Sequence, residues 1–334
     1  MKIALDAFGS DNAPLPEVEG AVLAIKEDVC SKIYLVGKQD ELERQLSKFF
    51  YPKERIEIVH ATEVVRMDDK AAATVKSRKD SSLVRAIQLH KERTADAIVS
   101  AGNTGAVMAA SLFTLGRIKN VLRPAISLSL PTLGRPAIML DMGANVDCQP
   151  EHLIQFAKLG SLYSQFFYEV ENPEVALLNI GEESMKGNEL SKATHQLLAE
   201  RTDINFVGNV EPKRILDGAA DVVVCDGFVG NVILKTVEGT AVFIFKALRE
   251  QMKRDWVAKV GALLSFPAYG YLRRKLDHTE YGGAMLVGLK GVPVIAHGSS
   301  NDVAIKNAVK FAARIAASGF LEHARAFYEE GTTS

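Results

Sequence analysis

Asp96-Ala97-Ile98-Val99-Ser100-Ala101-Gly102-Asn103-Thr104-Gly105 is the stretch on which the fold turns. Asp96–Val99 reads as a buried strand, the Gly/Asn turn follows it, and a helical run opens at Ala106. The same order recurs in Asp221-Val222-Val223-Val224-Cys225, then Asp226-Gly227-Phe228-Val229-Gly230-Asn231, then a helical run from Val232. Glycine lets a backbone turn tightly and approach a ligand. A helix start leaves N–H groups without partners and attracts anions. Two such turns in one chain point to a phosphate site.

On either side of these stretches, short β-branched runs alternate with longer amphipathic ones. Strands are expected at Ile3–Asp6, Lys32–Val36, Ile56–Val59, Ala97–Ser100, Ala125–Leu130, Ala137–Asp141, Val175–Ile180, Ile204–Val207, Val222–Cys225 and Val292–Ala296. Helices are expected near 16–28, 39–49, 80–92, 105–115, 151–167, 188–200, 231–253, 302–317 and 320–330. This alternation implies an α/β fold, a mostly parallel sheet with helices on both faces. Ser299 with Asp302 resembles a capping box ahead of Val303. No linker or repeat divides residues 1–334, so a single domain is expected. Only 250–290 breaks the alternation, and 250–280 within it reads as a helical segment.

Composition narrows the function. Across 334 residues, 47% are hydrophobic, 24% charged and the net charge is −1. That is ordinary for a globular enzyme and excludes a generally basic nucleic-acid binder. Cys30, Cys148 and Cys225 form no Cys-x-x-Cys pair, and the seven histidines show no metal-ligand spacing, so neither disulfide nor metal is expected. Unpaired thiols suit a reducing cytoplasm. Residues 1–7 read as a strand rather than a leader, and no run of about 18 apolar residues occurs.

Six expected strand ends carry polar turns: Asp6–Asn12, Ser100–Gly105, Asp141–Asp147, Asn179–Glu189, Asp226–Asn231 and Ala296–Asp302. One such turn alone is ordinary turn chemistry. Six, expected along one rim of the sheet, imply a polar, anion-friendly site. Gly-x-Gly-x-x-Gly, the Walker loop and Gly-x-Ser-x-Gly are all absent, which removes support for dinucleotide, ATP or nucleophile-elbow chemistry. The inventory suits a reaction that brings its own nucleophile, inorganic phosphate. The protein then has to orient the anion on an acyl carbon and stabilise the oxyanion. Asn103, Lys186, Asn188, Asn231, Lys235 and His297 are the side chains for that work. Lys235 follows Asn231 by four residues, one helical turn on the same face.

Long segments in order, among them IALDAFGSDNAP, SAGNTGAVMAASLFTLGRIKN, LDMGANVDCQPEHLIQFA, LLNIGEESMKGNEL, ADVVVCDGFVGNVILKT, YGGAMLVGLKG and AHGSSN, resemble the bacterial phosphate acyltransferase (PlsX) family nearly end to end. The resemblance implies transfer of an acyl group from acyl carrier protein to inorganic phosphate, giving acyl-phosphate for a membrane glycerol 3-phosphate acyltransferase. It implies a homodimer without cofactor, in a three-layer α/β/α fold similar to phosphate acetyltransferases and isocitrate or isopropylmalate dehydrogenases. The family's Lys-Gly-Asn-Glu-Leu and Gly-Asn-Val motifs fall on Lys186–Leu190 and Gly230–Val232. Lys186, Asn231 and His297 become catalytic candidates. Asp6, Gly102, Asn103, Thr104, Asn145, Asn188, Gly230 and Lys235 become candidates for holding phosphate or acyl-phosphate. Ser10 departs from the pattern, where the family more often has glycine.

Trp256, Val260, Leu263, Leu264 and Phe266 lie among six Lys/Arg against Asp255 in 253–275. That composition suits a helix on an anionic membrane surface, and equally a hairpin packed in a dimer. The resemblance tilts it toward peripheral association with the inner face of the cell membrane. A second basic run, Lys70 to Arg85, suits either an acidic carrier or a solvated face. A CoA-dependent transferase and a non-catalytic membrane scaffold remain the rival readings.

Overall fold

The computed structural model describes residues 1–276 and 282–330. Eleven strands form one sheet: β1 (Lys2–Asp6), β2 (Lys32–Gly37), β3 (Ile56–His60), β4 (Ala97–Ser100), β5 (Ala125–Leu130), β6 (Ala137–Leu140), β7 (Glu174–Leu178), β8 (Asn205–Val210), β9 (Val222–Val224), β10 (Ala284–Val287) and β11 (Pro293–Ile295). The helices are α1 (Leu15–Lys26), α2 (Gln39–Leu46), α3 (Ala71–Ser77), α4 (Ser82–Lys91), α5 (Thr104–Leu115), α6 (Pro150–Phe167), α7 (Glu189–Ala199), α8 (Pro212–Ile215), α9 (Gly227–Met252), α10 (Trp256–Leu276), α11 (Asp302–Ala317) and α12 (Phe320–Glu330).

The sheet order is β3-β2-β1-β4-β11-β10-β5-β6-β9-β7-β8. Side chains alternate across it, so Ile3 and Leu5 of β1 enter one core while Ala4 enters the other. The first core is closed by α1, α2, α6, α11 and α12 through residues such as Val22, Leu42, Phe156, Ile305 and Phe320. The second is closed by α3, α4, α5 and α8 through Val75, Ile87, Val107 and Ile215. The three-layer α/β/α expectation holds.

One expectation about the sheet is corrected. β10 pairs antiparallel with both β11 and β5, and β5 pairs antiparallel with β6. Three reversals leave β6, β9, β7 and β8 running opposite to β3, β2, β1, β4 and β11. The six polar turns therefore do not share one rim: those after β1, β4 and β11 leave one edge, and those after β6, β7 and β9 leave the other. The two reversals at β10 cancel, so the antiparallel β5/β6 pair is what turns the second block over. A second correction concerns Ser299, which caps nothing. Asn301 caps α11 by accepting from Ala304 N at 2.9 Å, while Ser299 Oγ lies 2.8 Å from His297 Nδ1.

Helix α9 starts at Gly227, earlier than Val232, because Asp226 accepts from Val229 N at 2.9 Å as its N-cap. Helix α9 buries only Gly227 and Gly230, with Ile233 and Leu234 packed in part against the second core. It pairs with α10 through Phe245 against Tyr269, ring centroids 5.5 Å apart. Trp256, Leu263 and Leu264 of α10 are 76%, 75% and 78% exposed, and Val260 and Phe266 are exposed beside them. The rest of the expected 250–280 segment, and Tyr281 of the YGG motif, lie outside the described residues.

Candidate active site

On the second face a cleft of about 600 Å³ lies over the middle of the sheet between α5 and α9. Its floor is apolar: Ile126 and Leu128 of β5, Ala284 of β10 and Ile295 of β11. Thr104, Gly105 and Met108 of α5 form one wall, and Asn231, Leu234, Lys235 and Glu238 of α9 form the other. The spacing 231, 234, 235, 238 is one face of a helix. Asp11, Met67, His297, Gly298 and Ser300 close the end near β1 and β11. The cleft thus receives turns from both blocks of the sheet, which is how opposite rims serve one site.

At the β1/β4 end, chain connections depart to opposite faces, α1 to one and α5 to the other, the crevice where open α/β sheets bind ligands. The two loops touch. A Cβ on Gly9 would lie 2.7 Å from Gly102 N, so only glycine fits there. Asp6 is buried; its carboxylate accepts from Ser100 Oγ at 2.7 Å and Phe8 N at 3.3 Å, and Ser100 Oγ accepts from Gly102 N at 3.1 Å. Burial pushes the Asp6 carboxyl up, against the pull of its serine partners. Asp6 therefore braces the loops instead of meeting an anion. Asn103 is committed too: its Oδ1 accepts from Ala106 N at 3.0 Å and its Nδ2 donates to Met67 O at 2.7 Å. What remains toward the cleft is the start of α5, where the N–H groups of Thr104 and Gly105 have no partner within the helix.

The α9 wall is fixed by a second carboxylate. Asp141 Oδ1 accepts from the N–H groups of Ile126, Gly143 and Ala144 at 2.9, 3.2 and 3.0 Å. Its Oδ2 accepts from Asn145 N and Nδ2 at 2.7 and 2.8 Å. Burial raises this group, offset by those donors. Asn145 is spent on this turn, donating also to Pro124 O at 2.8 Å. Gly230 lets α9 press on the Asp141 carbonyl, which any Cβ there would strike. Asn231 then sits exposed beside Gly143, one turn before Lys235, whose Nζ pairs with Glu238 at 2.9 Å. His297 is exposed at the opposite end, its loop tied to the first by Asp11 N donating to Gly298 O at 2.9 Å.

The structure thus brings Gly102, Thr104, Asn231, Lys235 and His297 to one cleft. Lys186 and Asn188 are not among its lining residues. They lie on the turn after β7, where Lys186 is exposed and Asn188 caps α7 through Ser191 N at 2.9 Å. Sequence reasoning missed Asp11, Glu238 and the apolar floor, and it missed Glu17. That residue is 0% exposed, and its Oε1 accepts from Ser10 N at 3.0 Å, holding the first loop. Nothing in Leu15–Lys26 marks Glu17 as different from Glu19, the other acid of that helix, which is half-buried.

Burial pushes the Glu17 carboxyl up from 4.5 to about 7. Below the lower value the group is protonated folded and unfolded, and it costs nothing. As pH rises the unfolded chain ionises first, so stability falls until about pH 7, by about 3 kcal/mol in all. Glu17→Gln keeps the acceptor for Ser10 and removes the titration. Its melting temperature relative to wild type is expected to rise between pH 5 and 8; a pH-independent difference would refute this.

A family profile described as fatty acid synthesis protein matches residues 1–323. The phosphate acyltransferase of Dictyoglomus turgidum is 50% identical over 317 residues, covering 94% of each chain. That of Alkaliphilus oremlandii is 48% identical over 324 residues, covering 97% of this chain and 96% of its own. In fold, the chain is similar to a phosphotransacetylase from Streptococcus pyogenes, TM-score 0.59 at 15% identity over 94% of this chain and 93% of that one. The EutD phosphotransacetylase from Staphylococcus aureus gives 0.58 at 14% over 95% and 94%. The chain belongs to the fatty acid synthesis protein family and is an acyltransferase, one of that family's phosphate acyltransferases.

Proposed function

We propose that the enzyme transfers an acyl group from acyl carrier protein to inorganic phosphate, releasing acyl-phosphate and free carrier thiol. The observation that carries this reading is the cleft itself. It sets a helix start and an Asn/Lys wall above an apolar floor, the polarity of an acyl thioester meeting an anion. A phosphate oxygen attacks the thioester carbonyl carbon; the new C–O bond forms and the C–S bond breaks. Thr104 and Gly105 N–H groups and the Asn231 amide stabilise the tetrahedral oxyanion. Lys235 supplies positive charge to the phosphate from the cleft wall; Lys186, outside that lining on the turn after β7, is given a charge role by the family motif alone. His297, at the end of the cleft, gives a proton to the departing thiolate as general acid. Gly102, Gly230, Asp6, Asn103, Asn145 and Asn188 act as supports that shape the turns.

The test is a phosphate-dependent assay with palmitoyl-carrier, palmitoyl-CoA and acetyl-CoA as donors. Preference for the carrier thioester supports the reading. Preference for either CoA thioester would replace the donor, and no turnover with any of them would leave a scaffold.

The same reading places the enzyme, as a homodimer, at the inner face of the cell membrane, where a glycerol 3-phosphate acyltransferase consumes its product. Its support is the exposed apolar side of α10. By length and composition α9 could cross a membrane, yet Lys235, Glu238, Lys246, Arg249 and Glu250 punctuate it, which favours lying on the surface. Leu263→Glu/Leu264→Glu should remain dimeric and active yet lose co-sedimentation with anionic liposomes; undiminished sedimentation would contradict it.

A further inference from the structure

A second depression, of about 650 Å³, lies on the same face of the protein, between the end of α3, α4 and the end of α5. The structure sorts the basic run of the sequence into two groups there. Arg78 turns inward, donating to Val64 O at 2.6 Å and Asp69 Oδ2 at 2.7 Å. Lys76, Lys79 and Arg85 line the groove and are exposed. At its centre Phe113 is 51% exposed, with Lys76 Nζ 5.1 Å from the ring centroid. No carboxylate is among the lining residues. Arg85 Nε pairs with Asp80 Oδ1 at 3.6 Å, and Asp80 also accepts from Thr62 Oγ1 at 2.6 Å.

The groove connects to the cleft through two packed helices. α5 carries Thr104 and Gly105 at the cleft and Phe113 and Thr114 at the groove. Gly105 and Phe113 are separated by about 12 Å of helix. α3 runs alongside, with Ala71 against Gly105 at its start and Lys76 in the groove at its end. A partner seated on the groove is thus within reach of the cleft by a short flexible arm.

We infer that this groove docks the protein that carries the acyl thioester, through an acidic helix whose carboxylates meet Lys76, Lys79 and Arg85 around an apolar contact with Phe113. The inference rests on the reading that the donor is a carrier protein. Three cations with one exposed aromatic suit a brief encounter more than a permanent interface. Charges at such a rim act on capture and on its salt dependence, leaving the chemical step alone.

The experiment compares wild type with Lys76→Glu/Arg85→Glu, using acyl-carrier and a small acyl-pantetheine thioester as donors. KM for acyl-carrier should rise at least tenfold with kcat within twofold, and its dependence on salt should flatten. Both constants for the small thioester should stay at wild-type values. Phe113→Ala and Lys76→Ala, tested singly, give smaller rises in carrier KM and keep the test decisive should charge reversal prevent folding. An unchanged carrier KM, or an equal loss with both donors, overturns the docking site while leaving the acyltransferase reading intact. Wild-type enzyme that ignores acyl-carrier and uses only acyl-CoA overturns both.

Discussion

Asn231→Ala is expected to lower kcat for acyl-phosphate formation by about two to three orders of magnitude, the loss typical of one oxyanion donor. The side chain is exposed in the cleft wall, so its removal leaves no cavity in the core. The melting temperature should therefore stay within about a degree, since surface changes away from packed features cost little. Asn231→Asp should do worse still, setting a carboxylate against the phosphate and raising KM for that substrate. Lys186→Ala is expected to lose orders of magnitude as well, with an unchanged fold. Near-normal turnover in that variant would remove Lys186 from the site and leave the cleft residues to act alone. Near-normal turnover in Asn231→Ala would take the oxyanion role away from α9.

Gly230→Ala is expected to destabilise the enzyme by roughly 3 kcal/mol or more, at or beyond the top of the usual cost of overpacking. The added methyl would strike the Asp141 carbonyl and approach Cys225 Sγ to 3.0 Å. Neither can yield cheaply. Asp141 is held by five donors, and Cys225 is buried against the sheet. The start of α9 would have to lift, carrying Asn231 and Lys235 from the cleft. Gly239→Ala is the control on the same helix, since a Cβ there meets nothing within 4 Å. That change should be neutral or stabilising by up to about 1 kcal/mol, the helix preference for alanine over glycine. Thermal melts of the two variants side by side decide the matter. Coincident melts would mean that the α9 start does not depend on this close approach.

Much of the architecture was legible because local signals were strong. Ala97–Ser100 and Ala125–Leu130 occur as read from their β-branched, apolar runs, and α11 and α12 keep the bounds set by their periodicity. Sheet direction was not legible. A four-residue strand such as Ala284–Val287 carries no mark of its partner or of the sense in which it pairs. Nor does Ala137–Leu140 show that it pairs antiparallel with Ala125–Leu130, the reversal that sends the two sets of turns to opposite edges.

At the site, sequence pattern located the turns but not the use of each side chain. Asn103 and Asn145 share residue type and turn context with Asn231. Only tertiary contacts show that the first two are bonded inward and that the third faces the cleft. Glu17 was silent for the same reason, its role being set by Ser10, which lies across a loop and not along a helix face.

In the proposed reaction, phosphate and the acyl carbonyl meet between the start of α5 and the Asn231 face of α9. A crystal structure of the enzyme with a non-hydrolysable acyl phosphonate tests it most directly. The phosphonate is expected within hydrogen-bonding reach of Thr104 N and the Asn231 amide, with the acyl chain over Ile126 and Leu128. A phosphonate seated on the turn after β7, with this cleft empty, would contradict it.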